Sequence, residues 1–309
     1  MIGLIEQNAR FSLKRNGKTF WFASLFLPRQ IATDAAILYS FCRNLDDVAD
    51  QTIQPGTSPD SVQHLERIRQ DLSEGTSHNP LLTEILHLAS RTHLDLRAAV
   101  CLLDTLLEDA KGPAEIRDEA GLIRYCYGAA GTVGLMMHSI LGVDSPKATL
   151  QAIDLGIAMQ LTNIARDVVE DATLGRRYVP GLWVGHLTPQ QINDRYKVDP
   201  KMRATLAVGI ERVLALADIF YAAAVPGFAA IPGQARSGIR IAAAVYRQIG
   251  VDLRHRGCDC NRGRIIVPML SKVRIAVSVY TGHSGLEEMR LSDDPTRFHD
   301  ALSGLPGLA

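Results

Sequence analysis

This sequence of 309 residues lacks an excess of either charge. Lysine and arginine together number 33, and so do aspartate and glutamate. A chain without an overall basic field has no general attraction for nucleic acid, and one without an acidic field does not collect cations. We therefore expect no nucleic-acid partner, and binding must depend on local sites.

Cysteine is also scarce, with five residues in the whole chain. The number is odd and most of them lie in apolar helical patterns, which favours a reducing compartment over a disulfide framework. Cys258 and Cys260 have no second pair and no histidine cluster near them, so they are a weak indication of zinc. We expect the cysteines to fill the core of a cytoplasmic protein. Such a protein could also contact a membrane peripherally to release its product.

Long apolar runs are missing as well. A helix that spans a bilayer needs about 20 consecutive apolar residues. The most apolar later stretches, 131–143 and 214–231, are too short or carry His138, Asp218 and Pro226. The sequence therefore predicts no transmembrane helix.

Strand-like alternation is absent, and apolar residues instead recur three and four positions apart. This spacing predicts an all-α protein. Its 47% hydrophobic content is enough for one large core, so we expect a single domain over 1–285 and a polar, frayed tail over 286–309. The predicted helices cover 1–16, 19–27, 31–51, 60–74, 80–92, 95–110, 115–142, 146–173, 199–225, 234–256 and 262–281, with a loop at 55–59.

Four polar residues form one stripe on the predicted helix 146–173. Gln160, Asn163, Asp167 and Asp171 stand at i, i+3, i+7 and i+11 in an otherwise apolar stretch, which places them on one helix face. Two like charges four residues apart destabilise a helix by about 0.2–0.5 kcal/mol. A cation should therefore offset the repulsion between the two aspartates.

The same pattern occurs a second time, in the predicted helix 31–51. Asp46 and Asp50 are four residues apart, and Arg43 and Tyr39 extend their face. A single pair of this kind is usually a solvated surface feature, but two copies in apolar helices, each with an arginine just before it, indicate a functional site. Carboxylate and amide oxygens suit Mg²⁺, with Mn²⁺ as an alternative, and arginines suit phosphate oxygens.

Small residues interrupt the predicted helix 115–142, with glycine at 128, 131 and 134. Each glycine costs about 1 kcal/mol relative to alanine inside a helix. The run fits either tight helix packing or the concave wall of a cavity, and the neighbouring acidic helix favours the cavity. A metal and arginines on an apolar cavity suit the ionisation of a diphosphate ester, because a dry wall protects the carbocation.

Three groups of residues resemble the squalene/phytoene synthases, which are head-to-head prenyltransferases of the isoprenoid synthase fold. The resemblance covers about residues 15–270 and implies one helical domain around a central apolar cavity. Its motifs are Tyr39-x-x-x-Arg43-x-x-Asp46-Asp47-x-x-Asp50, then Tyr125-Cys126-Tyr127 with Ala130-Gly131-x-Val133-Gly134, and finally Gln160-Leu161-Thr162-Asn163-Ile164-x-Arg166-Asp167 through Asp171 with Gly175-Arg176-x-Tyr178-x-Pro180.

The resemblance also implies residue roles. The catalytic residues would be Asp46, Asp50, Tyr125, Asp167 and Asp171, and the four aspartates with Asn163 would bind metal. One departure is Gly17-Lys18-Thr19-Phe20, where the family usually has Ser-x-Ser-Phe. Substrate binding would fall to Thr19, Phe20, Tyr39, Arg43, Ala130, Val133, Gly134, Gln160, Asn163, Arg166, Arg177, Tyr178, Tyr246 and Arg264.

The expected reaction joins two prenyl diphosphates through a cyclopropylcarbinyl diphosphate. Small side chains at Ser24 and Ala36, where dehydrosqualene synthases tend to carry aromatics, favour two C20 geranylgeranyl diphosphates and phytoene. The alternative is a C15 enzyme that makes squalene, dehydrosqualene or presqualene diphosphate from farnesyl diphosphate, and a remote one is a non-catalytic prenyl-lipid binder. We expect no NADPH requirement, because no dinucleotide motif follows a strand. The sequence does not indicate which oligomeric state the protein adopts.

Overall fold

The computed structural model describes residues 2–51, 60–77, 79–112, 114–196, 198–260, 263–286, 289 and 296–308. Within these ranges there is no β-sheet, and Glu115 and Arg177 form an isolated bridge. The predicted all-α class is confirmed. The helices are α1 (Ile2–Asn16), α2 (Lys18–Ser24), α3 (Arg29–Gln51), α4 (Asp60–Glu74), α5 (Pro80–Thr92), α6 (Leu96–Lys111), α7 (Glu119–Cys126), α8 (Thr132–Ile140), α9 (Pro146–Thr173), α10 (Pro189–Arg195), α11 (Pro200–Ala224), α12 (Gly233–His255), α13 (Met269–Thr281) and α14 (Thr296–His299).

Local sequence explains where the long helices begin and end. Ser145 accepts a hydrogen bond from the Ala148 N–H at the start of α9, and Asp199 caps α11 in the same way. Proline follows both caps, at a position where its missing N–H costs nothing. α5 ends at His93, whose φ of 54° is left-handed and incompatible with a continuing helix. These boundaries lie within one residue of the predicted ones.

Helix α9 lies at the centre of the molecule. It contacts α7, α8, α10, α11 and α12, and its Ile153, Ile157 and Leu161 side chains are fully buried. Phe41 and Leu45 of α3 are equally buried. Because both acidic stripes belong to buried helices, their polar side chains face an internal space.

The predicted helix 115–142 is divided in the structure. α7 and α8 are separated by a π-helical segment, Tyr127–Gly131. A Cβ added to Gly134 would overlap the Ala152 carbonyl, and one added to Gly156 would overlap the Ala130 carbonyl. Glycine therefore lets the backbones of this region and α9 meet, and tight packing accounts for these positions.

Other helices also differ from the predictions. The predicted helix 19–27 ends at Ser24, and the predicted helix 31–51 begins at Arg29. The predicted helix 262–281 begins only at Met269, because residues 263–268 are not helical and end in Pro268. Helix α10 was not predicted, although Thr188 and Gln191 form a capping box that signals its start. The predicted loop 55–59 lies outside the described residues.

The expectation of a frayed C-terminal tail is wrong for residues 296–308. Phe298 and Leu302 are buried in the main hydrophobic cluster, and His299 Nε2 lies 2.8 Å from Asp154 Oδ1. The Tyr127 hydroxyl donates to the Pro306 carbonyl at 2.7 Å. A few apolar side chains, despite a polar average composition, are enough to attach this segment to the core.

The state and burial of the cysteines can be compared with the expectation that they fill the core. All five cysteines are free, and Cys126, Cys258 and Cys260 are buried, as predicted for core residues.

The segment Pro200–Ala230 is long and apolar enough to cross a membrane, yet 61% of its most apolar stretch is buried inside the protein. One such helix is weak evidence for a membrane span, because core helices of soluble proteins share these properties.

Candidate active site

A cavity of about 700 Å³ runs between α2, α3, α8, α9 and α12. Along α9 its lining extends from Ala148 to Asp171, which is roughly 34 Å at about 1.5 Å per residue. Charged residues line one end and apolar residues line the rest. The predicted central apolar cavity is therefore present, and it has a polar end.

Both acidic stripes reach this polar end. Asp46 and Asp50 of α3 line it together with Asp167 and Asp171 of α9. In each helix the stripe changes from apolar to acidic toward the C-terminus, where the negative end of the helix dipole further disfavours carboxylates. On α3 the lining residues are Ala35, Leu38, Tyr39, Cys42, Arg43, Asp46 and Asp50.

Arginines supply the cations that the α3 aspartates require. Arg43 donates to Asp46 at 3.2 Å and also to Asp47. Arg176 reaches across from the loop after α9 and donates to Asp50 at 2.8 Å. The Arg176 side chain is only 8% exposed, so this charge is held inside the protein.

The α9 aspartates have a different environment. Asp167 accepts hydrogen bonds from Arg166 Nε at 2.6 Å and from Arg264 Nε and Nη2, both at 2.9 Å. Arg264 comes from the non-helical segment before α13 and reaches Asp167 across a sequence separation of 97 residues. The Asp171 carboxylate has no hydrogen-bond donor among the residues that the structure describes.

Burial and mutual repulsion raise the pKa values of two of these carboxyl groups. Burial, followed by the nearby Asp50 charge, raises the pKa of Asp46 to about 6. Burial and then Asp167 raise the pKa of Asp171 well above its usual range. The Asp46 side chain is nevertheless 45% exposed because it borders an open cavity, so water screens part of this effect. Both carboxylates would be stabilised by an added cation.

The donor atoms at this end fit Mg²⁺. Asn163 Oδ1 is buried and accepts no hydrogen bond, and it lies one helical turn before Asp167. Amide and carboxylate oxygens are the ligands of hard cations, and Mg²⁺ is usually held by few protein carboxylates with substrate phosphates and water. Within the described residues, no group of three or more histidine, cysteine or acidic side chains could hold a metal alone. The arrangement therefore suits a metal that binds together with substrate.

Aromatic rings border the charged end. Tyr125 stacks on Tyr178 with ring centroids 4.3 Å apart, and the Tyr178 hydroxyl donates to Asp109 at 2.7 Å. Burial raises the pKa of Tyr125 well above its ordinary value, so its phenol stays protonated. Phe20 and Tyr246 form a second ring contact at 5.0 Å. Asp109 was not identified from the sequence, because it follows Glu108 at the charged C-terminal end of α6, where a further carboxylate gives no distinct signal.

Most of the predicted site residues line the cavity, but two do not. Thr19 is absent from the lining. Arg177 is buried away from it and donates to the carbonyls of Ile116 and Val179, both at 2.7 Å, and to Glu115. Its neighbour Arg176 faces the cavity instead. The residues that do line it are Phe20, Tyr39, Arg43, Asp46, Asp50, Tyr125, Ala130, Val133, Gly134, Gln160, Asn163, Arg166, Asp167, Asp171, Tyr178, Tyr246 and Arg264.

Of the two residues expected to set the depth of the apolar cavity, one lines it and the other does not. Ser24 lines the cavity. Ala36 is 1% exposed and packs in the core, whereas its neighbour Ala35 faces the cavity, since adjacent helix positions differ by about 100°. The far end combines residues from separate segments, which no local pattern reveals: His138, Leu141, Val143, Phe228 and Ile231.

Comparison with known proteins agrees with this geometry. The family model "Squalene/phytoene synthase" matches residues 13–271. The chain belongs to the squalene/phytoene synthase family. As a member of this family it is a prenyltransferase.

Curated relatives and solved structures give the extent of the similarity. The chain is 33% identical to a 15-cis-phytoene synthase of Pantoea ananas over 78% of this chain and 79% of that one. It is 33% identical to a 15-cis-phytoene synthase of Paracoccus sp. over 85% and 86%. A dehydrosqualene synthase crystallised with a ligand superimposes with a TM-score of 0.77 at 26% identity, covering 91% of this chain and 96% of that one. A squalene synthase of Alicyclobacillus acidocaldarius, at 18% identity and a TM-score of 0.68 over 82% and 94%, shares the fold.

Proposed function

We propose that this prenyltransferase joins two geranylgeranyl diphosphates head to head to form phytoene. The observation that carries the proposal is the pair of acidic stripes, with their arginines, at one end of a long apolar cavity. Several relatives that are 31–34% identical carry the name phytoene synthase, which supports the C20 substrate.

The charged end would hold the diphosphate groups. Bound Mg²⁺ or Mn²⁺ supplies positive charge that stabilises a departing diphosphate. Arg43, Arg166, Arg176 and Arg264 would donate to diphosphate oxygens, since planar guanidinium groups suit this geometry. These arginines now pair with carboxylates, so metal and substrate would share the aspartates and arginines between them. The metal ligands would be Asp46, Asp50, Asn163, Asp167 and Asp171.

The apolar part of the cavity would hold the prenyl chains and exclude water. In the reaction that the family resemblance implies, the C1–O bond of one substrate breaks and C1 bonds to the double bond of the second. Loss of a proton gives the cyclopropylcarbinyl diphosphate, which then ionises, rearranges and loses a second proton. Tyr125, protonated and buried beside the charged end, would form part of the wall around the reacting carbons.

The second candidate is a C15 enzyme that uses farnesyl diphosphate. The observation in its favour is the dehydrosqualene synthase structure, which covers nearly all of the chain at 26% identity. We favour the C20 reaction because Ser24 leaves the cavity open where an aromatic side chain would shorten it. A non-catalytic prenyl-lipid binder is disfavoured, since all four aspartates line one cavity end.

Product analysis separates these functions. The purified protein would be incubated with farnesyl or geranylgeranyl diphosphate and Mg²⁺, with and without NADPH, and the extracted lipids separated by chromatography and mass spectrometry. Phytoene from the C20 substrate without NADPH is expected. Turnover of farnesyl diphosphate alone would establish the C15 reaction, squalene formed only with NADPH would contradict the expected independence of that cofactor, and no product from either substrate would refute catalysis.

Chain-length selection gives a sharper test at Ser24. Ser24→Phe should lower kcat/KM for geranylgeranyl relative to farnesyl diphosphate by about tenfold, because a phenyl ring fills space that an isoprene unit would occupy. The measurement is the ratio of the two kcat/KM values. Ala36→Trp is the matched control: its side chain enters the packed core, so it should lower the melting temperature without a selective effect on chain length.

A further inference from the structure

One face of α13 is apolar and exposed to solvent. Six large hydrophobic side chains between residues 266 and 280 are 45–67% exposed. We call this set the α13 face: Ile266, Met269, Leu270, Val273, Val277 and Tyr280. Monomeric soluble proteins rarely expose a contiguous apolar patch of this kind unless it binds something.

The two sequence segments that contain α13 and α2 carry charge of a single sign. The sequence has no acidic residue from 260 to 286 and none from 7 to 33, the part that contains α2. Lys18, Arg29 and Arg274 are exposed, and none of the three forms an ion pair with any residue that the structure describes. A basic surface beside an exposed apolar face is the combination that binds an anionic bilayer.

Helix α2 connects the α13 face to the cavity. Phe26, just after α2, has its ring 6.2 Å from that of Tyr280. At the other end of α2, the charge of Lys18 is close enough to contribute to the lowered pKa of buried Lys272, which is mainly due to burial. Both ends of the segment from Lys18 to Phe26 therefore lie near α13. The same segment supplies Phe20 and Ser24 to the cavity wall, so it borders both the apolar cavity and the α13 face.

We propose that the α13 face docks the protein on an anionic lipid bilayer. The apolar side chains enter the interface while Lys18, Arg29 and Arg274 contact acidic headgroups. A second copy of the chain is a poorer occupant, because a two-fold contact through this face would set one basic, acid-free surface against another. Docking is independent of prenyl transfer, so its failure would leave the proposed reaction untouched.

The test is flotation of the full chain with vesicles. One set contains phosphatidylcholine with about one-third phosphatidylglycerol, and the other contains phosphatidylcholine alone. The wild type should float with anionic vesicles, bind the neutral ones at least about tenfold more weakly, and lose binding in high salt. Leu270→Glu combined with Val277→Glu should reduce binding to anionic vesicles by about tenfold or more, and Arg274→Glu by about fivefold.

Val208→Glu is the matched control, since Val208 of α11 is 55% exposed but lies outside the α13 face. It should bind like the wild type, and all variants should keep the wild-type circular dichroism and melting temperature. Absence of wild-type binding, or equal binding by the Leu270→Glu/Val277→Glu variant, would overturn the proposal. So would a wild-type dimer, measured by sedimentation, that this variant converts to monomers without any vesicle binding.

Discussion

The two acidic stripes share a spacing but differ in depth. On α3 the Asp46 and Asp50 side chains are 45% and 33% exposed, and they pair with Arg43 and Arg176. On α9 the Asp167 side chain is 16% exposed and accepts from both Arg166 and Arg264. The same local pattern therefore yields one partly solvated group of carboxylates and one buried, doubly paired carboxylate, because α9 is enclosed by other helices.

This difference in burial predicts that the two stripes contribute unequally to catalysis. A buried charge interacts more strongly with its neighbours than a solvated one, and it loses more when a partner is removed. The unpartnered Asn163 oxygen also lies on the α9 side. We therefore expect the α9 stripe to dominate catalysis and the α3 stripe to assist it.

The largest expected effect is that of Asp167→Asn. In the proposed reaction the Asp167 charge would hold the metal that stabilises the leaving group, and the substitution also leaves Arg166 and Arg264 without their carboxylate. We expect kcat at saturating Mg²⁺ to fall by about 10²–10³-fold. Asp104→Asn is the control: Asp104 of α6 is 46% exposed, pairs with Arg69 and does not line the cavity, so kcat should change by less than about twofold. Wild-type activity in Asp167→Asn would refute the metal assignment.

Asp46→Asn should reduce kcat by less, about 10–10²-fold, because Asp46 is partly solvated and Asp50 remains nearby. Steady-state rates for both variants, measured across a range of Mg²⁺ concentrations, compare the stripes directly. A greater loss in Asp46→Asn than in Asp167→Asn would reverse the ranking that depth predicts.

Substitutions at two neighbouring arginines should affect different properties, one substrate binding and the other stability. Arg176→Gln should raise KM for the diphosphate substrate by about tenfold, since Arg176 borders the cavity. Its effect on stability should be smaller than that of Arg177→Gln, because its partner Asp50 is 33% exposed to solvent. Arg177→Gln should instead destabilise the protein by about 2–4 kcal/mol, because it removes the buried guanidinium that donates to the Val179 carbonyl and pairs with Glu115. Substrate titration and urea denaturation of the same preparations check both statements. A destabilised Arg176→Gln variant with normal KM would mean that Arg176 has only a structural role.

The smallest expected effect is on the pH dependence of the free energy of unfolding, measured without metal. Asp46 has a pKa of about 6 when folded and about 4 when unfolded, so the folded state holds its proton more tightly. The free energy of unfolding should therefore fall as pH rises from about 4 to about 6. In EDTA, Asp46→Asn should match the wild type near pH 4 and exceed its stability near pH 7. Equal stability of the two proteins at every pH, in urea titrations, would contradict this linkage.

The sequence predicted what depends on helical spacing. The stripes on α3 and α9 and the boundaries of α9 follow from periodicity and caps, and they carry the part of the site that was predicted. The sequence analysis placed Arg177 and Ala36 at the cavity, whereas the structure places their neighbours Arg176 and Ala35 there. The outcome depends on the direction in which each side chain points. That is decided by contacts with Asp50, Glu115 and the core, which are distant in sequence. The cavity end near His138 and Phe228 was not predictable for the same reason.

The attachment of residues 298–307 to α7–α9 also affects how the protein is made. The Tyr127 hydroxyl bonds to a carbonyl 179 residues later, and Asp154 pairs with a histidine 145 residues later. During synthesis, the central helix emerges from the ribosome long before these partners. A nascent chain that ends before residue 298 leaves Asp154 without its partner and part of the α9 surface uncovered, and such exposed surfaces favour aggregation. The packing of α9 is therefore completed only after translation has passed this segment.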